Sequence, residues 1–252
     1  MSGALAGRTA LVTGAGRNIG RAIALALAAE GAWVAVNTRG NQAEIDAVAA
    51  EIVEMGGRSV AVLADVTDPA QVARMTAHVA DEFGGLDILV NNAAVRTEVP
   101  FAALDHAEWR RVLDTCLDGA FHCTKAALEA LAASDAGAVI NIGGITGHAG
   151  AAHRAHVITA KAGLAGFTKA LAHDLADQGI TANLVVPGLI DTQRLPTSTG
   201  GAQAIQVTAQ PLLGRRGKPE EIAAAVTWLA GPGARFVTGQ TIHVNGGAWL
   251  GA

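Results

Sequence analysis

The sequence predicts an α/β fold built on a parallel sheet with helices on both faces. Short runs of β-branched and apolar residues alternate with longer segments of helical periodicity, the order that gives parallel strands joined by helical crossovers. The chain has 252 residues, of which 50% are hydrophobic, enough for one large core. A glycine-rich turn follows the first run, as expected where a strand enters a helix. We therefore expect one domain over residues 1–252.

Seven short apolar runs are predicted to be the strands. They are Thr9–Thr13, Trp33–Asn37, Ser59–Leu63, Leu86–Val90, Ala138–Ile142, Thr181–Val186 and Thr241–Val244. Strands that alternate with helices run parallel and are connected by right-handed crossovers. The predicted sheet therefore has seven parallel strands.

The helices are predicted from apolar residues that recur every three or four positions. One set is Ile45, Val48, Ile52 and Met55, and a second is Val72, Met75, Val79 and Phe83. This spacing places each set on one helix face, which can cover the sheet. The segment Leu195–Gln203 is rich in Gly, Ser and Thr, and we expect it to be a mobile loop within the domain.

Charge and hydropathy exclude two classes of partner. The net charge is −4, with Lys and Arg scattered along the chain, whereas nucleic-acid-binding proteins concentrate positive charge on one face. Apolar runs such as Ala22–Ala29 end at a charged residue, well short of the roughly 20 residues of a membrane-spanning helix. No basic, signal-like stretch opens the chain. We expect a cytoplasmic protein with neither nucleic-acid nor membrane partners.

The cysteines are predicted to be reduced, and no metal site is expected. Cys116 and Cys123 lie seven residues apart in one predicted helix, which separates their Cα atoms by about 10 Å, too far for a disulfide. Neither belongs to a Cys-x-x-Cys motif, and the eight histidines show no zinc-ligand spacing.

A glycine-rich turn joins the first predicted strand to a helix. It reads Thr13-Gly14-Ala15-Gly16-Arg17-Asn18-Ile19-Gly20 and resembles the T-G-x-x-x-G-x-G motif of the short-chain dehydrogenase/reductase family, with Asn18 in place of the middle glycine. In such a turn the backbone approaches a pyrophosphate at the helix N-terminus, and Asn tolerates left-handed backbone angles. The resemblance implies a Rossmann-like, doubly wound sheet that binds a dinucleotide through Gly14, Arg17, Asn18, Ile19 and Gly20.

The end of the second strand favours NADP over NAD. An NAD site of this fold usually carries an acidic residue there for the ribose hydroxyls, whereas this chain has Asn37-Thr38-Arg39. Arg39 and Arg17 are predicted to clamp a 2′-phosphate beside Thr38, because guanidinium presents paired donors to phosphate oxygens. The alternative is that both arginines are solvated surface charges.

Three further segments resemble cofactor contacts of the same family. Asp65-Val66 resembles its adenine contact, Asn91-Asn92-Ala93-Ala94 resembles its N-N-A-G, and Pro187-Gly188 resembles the segment that holds the nicotinamide carboxamide. The residues expected to bind cofactor are accordingly Asp65, Val66, Asn92, Ala93, Pro187, Gly188, Ile190 and Thr192, together with Lys161. Each segment also has a structural interpretation: Asp65 as a helix cap, the Asn pair as a turn brace, and Pro-Gly as a simple turn.

The catalytic part of the family pattern is incomplete. The family uses a Tyr as proton donor, a Lys four residues later, a Ser that orients the substrate oxygen and an Asn. Lys161 matches the lysine, but Val157 stands four residues before it, and the chain contains no tyrosine. The positions that resemble those of Ser and Asn hold Gly144 and Cys116.

A histidine is the predicted substitute for the missing proton donor, because imidazole titrates near neutral pH. The candidates are His148, His153 and His156. His153 is favoured if the helix has already begun there, since it would then lie one turn before Val157 on the same face. The alternative is that all three histidines are solvated and have no catalytic role. Cys116 could also act as a catalytic thiol, but a cysteine within a helix is more often a small buried hydrophobe.

Three functions are compatible with this pattern. The first is an NADP-dependent oxidoreductase with an atypical active site, transferring hydride with a carbonyl or alcohol. The second is a catalytically silent NADP-binding sensor or partner subunit, and the third is a non-redox reaction on the same scaffold. We expect a small-molecule substrate in a pocket bounded by Gly144–His153, Arg96 and Ile190–Gln210. The resemblance also implies a homodimer or homotetramer, formed through about Asp105–Ala133, Ala155–Asp177 and Gly239–Val244.

Overall fold

Seven parallel strands form one sheet in the computed structural model, which describes residues 3–192 and 210–251. They are β1 Thr9–Val12, β2 Trp33–Thr38, β3 Ser59–Leu63, β4 Ile88–Asn91, β5 Ala138–Ile142, β6 Thr181–Pro187 and β7 Thr241–Val244. The spatial order is β3-β2-β1-β4-β5-β6-β7. The predicted α/β class is confirmed. Because the order reverses between β1 and β4, their carboxyl ends flank a crevice where this fold binds ligands.

The strand ends differ from the predicted ones by one or two residues. β1 ends at Val12 rather than Thr13, and the Thr13 hydroxyl donates a hydrogen bond to the Val90 carbonyl oxygen at 3.2 Å. β4 begins at Ile88 rather than Leu86 and ends at Asn91. β2 and β6 each continue one residue further than predicted. These corrections leave the register of the sheet unchanged.

Helices cover both faces of the sheet. They are α1 Asn18–Ala29, α2 Gln42–Glu54, α3 Pro69–Phe83, α4 His106–Leu113, α5 Gly119–Ala133, α6 Thr146–Ala149, α7 Ala155–Asp174 and α8 Pro219–Ala230. One turn of π-helix at Asp114–Asp118 joins α4 to α5. The predicted helix over Asp105–Ala133 is therefore interrupted, and the one predicted to reach Asp177 ends at Asp174.

Side chains at the helix starts explain where several helices begin. The Asp68 carboxylate accepts hydrogen bonds from the Ala70 and Gln71 amides at the start of α3. The Asn41 side-chain oxygen accepts a hydrogen bond from the Glu44 amide at the start of α2. The Asp105 carboxylate accepts one from the Glu108 amide at the start of α4. Each cap satisfies an amide that has no partner within its helix.

Two apolar layers, one on each face of the sheet, form the core. Alternate residues of the central strands pack against α1, α2 and α8 on one face, and against α3 and α5 on the other. The predicted α3 set is entirely buried. In α2, however, Met55 is the residue after the helix end and is 42% exposed, so its predicted place in the apolar face is wrong.

Both cysteines are buried free thiols, as predicted. Burial raises the pKa of Cys123 to about 12, which keeps this thiol protonated and unreactive at neutral pH. Within residues 3–192 and 210–251, no cluster of His, Cys, Asp or Glu has the composition of a metal site.

The helices of the described ranges are all too short or too polar to span a membrane. The predicted loop Leu195–Gln203 lies outside the described residues.

Candidate active site

One pocket lies at the carboxyl ends of β1, β4, β5 and β6, the edge that the strand order predicts. Its walls come from the turns after these strands, the start of α7 and the segment before α8. The lining residues are Gly14, Gly16, Arg17, Asn18, Ile19, Gly20, Thr38, Glu44, Asn92, Ala94, Arg96, Ile142–Thr146, Arg154, Val157, Lys161, Pro187–Ile190, Thr192 and Arg216. The fold thus brings the glycine-rich turn, Lys161 and the Pro187-Gly188 segment into one pocket.

The glycine-rich turn forms one end of this pocket. Gly14 has a φ of +62°, and a Cβ there would lie 2.9 Å from Ala93 Cα. At Gly20 a Cβ would lie 2.2 Å from the Gly14 carbonyl oxygen. Asn18 has a φ of +51°, so it takes the left-handed conformation that the sequence analysis expected of it. Both glycines are therefore required by close backbone contacts.

The segment after β4 braces this turn. Asn92 Nδ2 donates hydrogen bonds to the carbonyl oxygens of Thr13 and Gly14, at 2.9 and 3.0 Å. The Thr13 hydroxyl oxygen accepts from the Asn92 and Ala93 amides at 3.0 and 3.1 Å. The turn-brace interpretation of Asn92 is thus correct, and Asn92 also lines the pocket.

The start of α1 fits the pyrophosphate of a dinucleotide. Arg17, the residue before the helix, has an extended backbone and its side chain caps none of the first-turn amides. Those amides belong to residues that line the pocket, Asn18 to Gly20. A helix N-terminus attracts an anion, and the glycines allow its close approach to the backbone.

The end of β2 places Thr38 in the pocket wall and Arg39 beside it. The Arg39 side chain is 61% exposed, and its Nε lies 3.9 Å from an Asp65 carboxylate oxygen. The other Asp65 oxygen accepts hydrogen bonds from the Thr67 amide and hydroxyl. Asp65 therefore forms a turn, whereas Asp68 caps α3, which corrects the interpretation of Asp65 as a helix cap.

Four of the predicted cofactor residues lie outside the pocket lining: Arg39, Asp65, Val66 and Ala93. Val66 is buried in the core layer against α3 and α5. The other twelve predicted cofactor residues, Lys161 included, do line the pocket.

Several lining residues were not identified from the sequence. Glu44, at the third position of α2, has a carboxylate oxygen 2.9 Å from where a Gly16 Cβ would lie. The pattern Asn41-x-x-Glu44 predicts a helix start, but not the proximity to Gly16. Arg154 and Arg216 reach the pocket only through tertiary folding, and no local pattern in the sequence marks them.

Lys161 lies at the centre of the pocket wall. It is 5% exposed, and its Nζ donates a hydrogen bond to the Ile142 carbonyl oxygen at 2.7 Å. Burial, with a smaller effect from the nearby Arg96 charge, lowers the pKa of Lys161, while the proximity of Cys116 partly opposes this shift. A Cβ at Gly147 would lie 2.9 Å from Lys161 Cβ, so α6 packs directly on the lysine.

A buried apolar cluster holds Val157 and Cys116, the residues at the positions that resemble those of Tyr and Asn in the family pattern. Val157 and Cys116 are each 2% exposed and pack together with Val112 and Ala160. The Cys116 thiol donates to the Val95 carbonyl oxygen at 3.5 Å. At Gly144 there is open space, since the nearest atom to an added Cβ is Lys161 Cγ at 3.8 Å.

None of the three candidate histidines is among the lining residues that the structure describes. The helical argument for His153 is wrong, because α7 begins at Ala155 and His153 precedes it, exposed and with a φ of +60°. His148 packs against the His243 and Trp249 rings.

His156 is fully buried behind the pocket wall. Its Nε2 lies 2.9 Å from Thr97 Oγ1 and 3.8 Å from Glu108 Oε1. Glu108 also pairs with Arg111 at 2.7 Å. Burial lowers the pKa of His156, although the Glu108 charge partly opposes this shift. His156 is therefore a neutral side chain that fixes the start of α7 to the segment after β4.

The sequence is similar to known reductases over nearly its whole length. The profile of a family described as Enoyl-(Acyl carrier protein) reductase matches residues 14–248. A 3-oxoacyl-[acyl-carrier-protein] reductase FabG of Staphylococcus aureus is 41% identical over 243 residues, covering 96% of this chain and 98% of that protein. The FabG of Vibrio cholerae is 39% identical over 249 residues, covering 98% and 99%.

Solved structures share the fold. A dehydrogenase/reductase of Sinorhizobium meliloti superposes with a TM-score of 0.91 at 38% identity, covering 98% of this chain and 96% of that one. A short chain dehydrogenase of Burkholderia cenocepacia, solved in complex with NADP, gives a TM-score of 0.90 at 35% identity, covering 97% and 98%.

We predict that His156 makes folding stability depend on pH. The folded chain resists protonation of His156, whereas an unfolded histidine titrates at its ordinary pKa of 6.5. The free energy of unfolding should therefore fall as pH drops through this range. In His156→Gln, which retains a polar group for Thr97, the loss between about pH 7.5 and about pH 5.5 should be smaller. Urea denaturation at both pH values measures it.

His78→Gln is the matched control, because His78 is exposed on α3. This variant should keep the pH dependence of the unmodified chain. An equal pH dependence in His156→Gln would show that His156 is not responsible.

Proposed function

The chain belongs to the short-chain dehydrogenase/reductase family, and we propose that it is an NADP(H)-dependent oxidoreductase in which Lys161 takes the place of tyrosine as proton donor. The observation that carries this proposal is the position of Lys161, a buried amine in the same pocket as the glycine-rich turn. The chain contains no tyrosine. We further propose a carbonyl substrate, or the corresponding alcohol, in keeping with the reductases to which the chain is similar.

The residues present support a dinucleotide with a 2′-phosphate. Lining residues from the glycine-rich turn, from Asn92 and from Pro187–Thr192 would hold it. No acidic residue ends β2. Arg17 and Thr38 line the pocket, and the exposed Arg39 follows Thr38 directly. The Burkholderia relative binds NADP. When bound, NADPH supplies the hydride for carbonyl reduction.

The proton donor must be a pocket residue whose pKa allows release of a proton. Arg17, Arg96, Arg154 and Arg216 line the pocket, but guanidinium does not deprotonate in proteins. Glu44 lies beside Gly16, at the phosphate end. Among the described lining residues, Lys161 is therefore the proposed proton donor.

The geometry of Lys161 suits this task. Of the three N–H donors on an ammonium group, one is directed at the Ile142 carbonyl oxygen, which leaves two for the pocket. Its lowered pKa makes the ammonium a better acid than an exposed lysine. A positive charge there would also stabilise negative charge that develops on a substrate oxygen, the more so because Val157 and Cys116 form an apolar wall.

The second candidate is a catalytically silent NADP-binding sensor or partner subunit. It is favoured by the packing of Val157 and Cys116 into an apolar cluster. In this cluster the two side chains stabilise the fold and take no part in catalysis. In that case Lys161 would contribute to nucleotide binding alone. Turnover measurements separate the two candidates.

We also propose that the chain forms a homodimer or homotetramer. Large apolar side chains are exposed on α5, on α8 and after it: Phe121 at 51%, Trp228 at 46% and Phe236 at 104%. The edge strand β7 has partly exposed residues throughout. A second copy of the chain would cover these surfaces, and light scattering of the purified protein should give a multiple of its 25.4 kDa mass.

We predict that the protein oxidises NADPH with activated ketones and that the rate depends on the protonation of Lys161. The donor must carry its proton, so kcat/KM should fall as pH rises through the Lys161 pKa, which lies below the ordinary 10.5. Lys161→Arg keeps the charge but cannot release a proton, and should lower kcat by about 100-fold or more. Absorbance of the reduced nicotinamide measures the rate.

Lys169→Arg is the matched control, since Lys169 is exposed two turns further along α7, and it should leave both rate and pH profile unchanged. Unaltered turnover in Lys161→Arg would contradict the role of Lys161. Binding of NADPH without turnover of any ketone in the unmodified chain would establish the silent binder.

We predict that the chain binds NADPH more tightly than NADH and that Arg39→Asp reverses this preference. The variant loses a charge-assisted contact to the 2′-phosphate and places a carboxylate near Asp65, where it repels that phosphate. The affinity for NADPH should fall roughly tenfold or more. Fluorescence titration with both nucleotides measures it.

Arg74→Asp changes the charge equally on exposed α3 and should leave the preference unaltered. Equal affinities for the two nucleotides in the unmodified chain would refute the assignment of Arg39.

A further inference from the structure

Positive charge dominates the pocket wall among the residues that the structure describes. The lining cations are Arg17, Arg96, Arg154, Lys161 and Arg216, and the lining carboxylate is Glu44. This excess contrasts with the net charge of −4 for the whole chain. Charges of one sign in a cleft raise the local concentration of ligands of the opposite sign.

Apart from Lys161 and Arg216, which donates a hydrogen bond to the Ile190 carbonyl oxygen at 3.0 Å, these cations fall into two groups. Arg17 lies in the glycine-rich turn after β1, where the phosphates of a dinucleotide would bind. Arg96 follows β4, and Arg154 immediately precedes α7, the helix that carries Lys161. The second group therefore lies at the substrate end, and the phosphates of the cofactor do not account for it.

Arg96 and Lys161 oppose one another electrostatically. The Arg96 charge contributes to lowering the pKa of Lys161, so the two cations are close enough to interact. Two like charges that share a pocket repel one another. An anionic group bound between them would relieve that repulsion.

Arg154 is held in place in the same wall. Its side chain is 11% exposed and forms an ion pair with Glu98, while the Val99 amide donates to the His153 carbonyl oxygen at 2.7 Å. These contacts, together with the one between Thr97 and His156, tie the segment that carries Arg96 to the start of α7. The two guanidinium groups thus belong to one braced unit rather than to independent loops.

We propose that the substrate carries an oxyanion, a carboxylate or a phosphate, which Arg96 and Arg154 bind beside Lys161. The substrate class is then an oxo acid or a phosphorylated carbonyl compound. Guanidinium groups suit either anion because they present paired donors to two of its oxygens. The inference rests on the proposed reductase function, but it concerns binding and can be tested without turnover.

Isothermal titration calorimetry of the full chain with benzoate, phenylphosphonate and benzamide tests the proposal. The titrations are run with and without saturating NADP⁺, so that failure of nucleotide binding and failure of anion binding are seen separately. At least one of the two anions should bind about tenfold or more tightly than neutral benzamide. Whichever anion binds more tightly identifies the group.

Arg96→Gln should weaken binding of that anion by roughly tenfold or more, and Arg96→Lys by less, because lysine keeps the charge but loses the paired donors. Arg154→Gln gives an independent test at the second guanidinium group. Arg74→Gln, an equal charge change on exposed α3, should have no effect. Absent anion binding, benzamide binding as tight as that of the anions, or undiminished anion affinity in both Arg96→Gln and Arg154→Gln would overturn the proposal.

Discussion

The hydrogen bond from the buried Lys161 ammonium to the Ile142 carbonyl oxygen is the contact on which the pocket depends. It joins α7 to the end of β5 at 2.7 Å and places a cation where the turns after the central strands converge. Burying an ammonium group is costly unless its donors are satisfied, and one carbonyl satisfies only one of three. In the proposed function, the other donors would bind a nucleotide, a substrate oxygen or an anion.

A series of hydrogen bonds between buried side chains holds α7 against the sheet. Asn91 Nδ2, at the end of β4, donates to Asn141 Oδ1 in β5 at 2.9 Å, and Asn141 Nδ2 donates to the Thr168 hydroxyl of α7 at 2.9 Å. Replacing any member by an apolar residue would leave a buried polar partner unsatisfied. These hydrogen bonds fix α7 against β4 and β5. The position of Lys161 is therefore determined by the sheet as well as by its own helix.

Sequence periodicity predicts the sheet and its parallel direction, and a short motif predicts the glycine-rich turn between β1 and α1, because these depend on local patterns. The glycine-rich turn is an example, since Gly14 and Asn18 adopt the left-handed backbone angles that their residue types favour. The errors occur where a single helix boundary or a tertiary contact decides. His153 would share the Val157 face only if the helix had begun there, yet the helix starts two residues after it. Arg154 lines the pocket because Glu98, from another segment, anchors it, and spacing along the chain contains no such information.

Cofactor binding and proton transfer are separate physical requirements, and in the proposed function different residues of this chain would meet them. A dinucleotide needs backbone amides, glycines and an open strand edge, which the turn after β1 provides. Proton transfer needs one titratable group near the substrate oxygen, and apolar Val157 and Cys116 do not provide it. In the proposed function, electrostatic stabilisation in this part of the pocket would come from its cations, Lys161 and Arg96. Cations discriminate between substrates by charge, whereas a tyrosine and a serine would orient a neutral carbonyl by hydrogen bonds alone. With Val157 and Gly144 at the positions that resemble those of Tyr and Ser, the proposed specificity would depend on charge rather than on hydrogen-bond geometry.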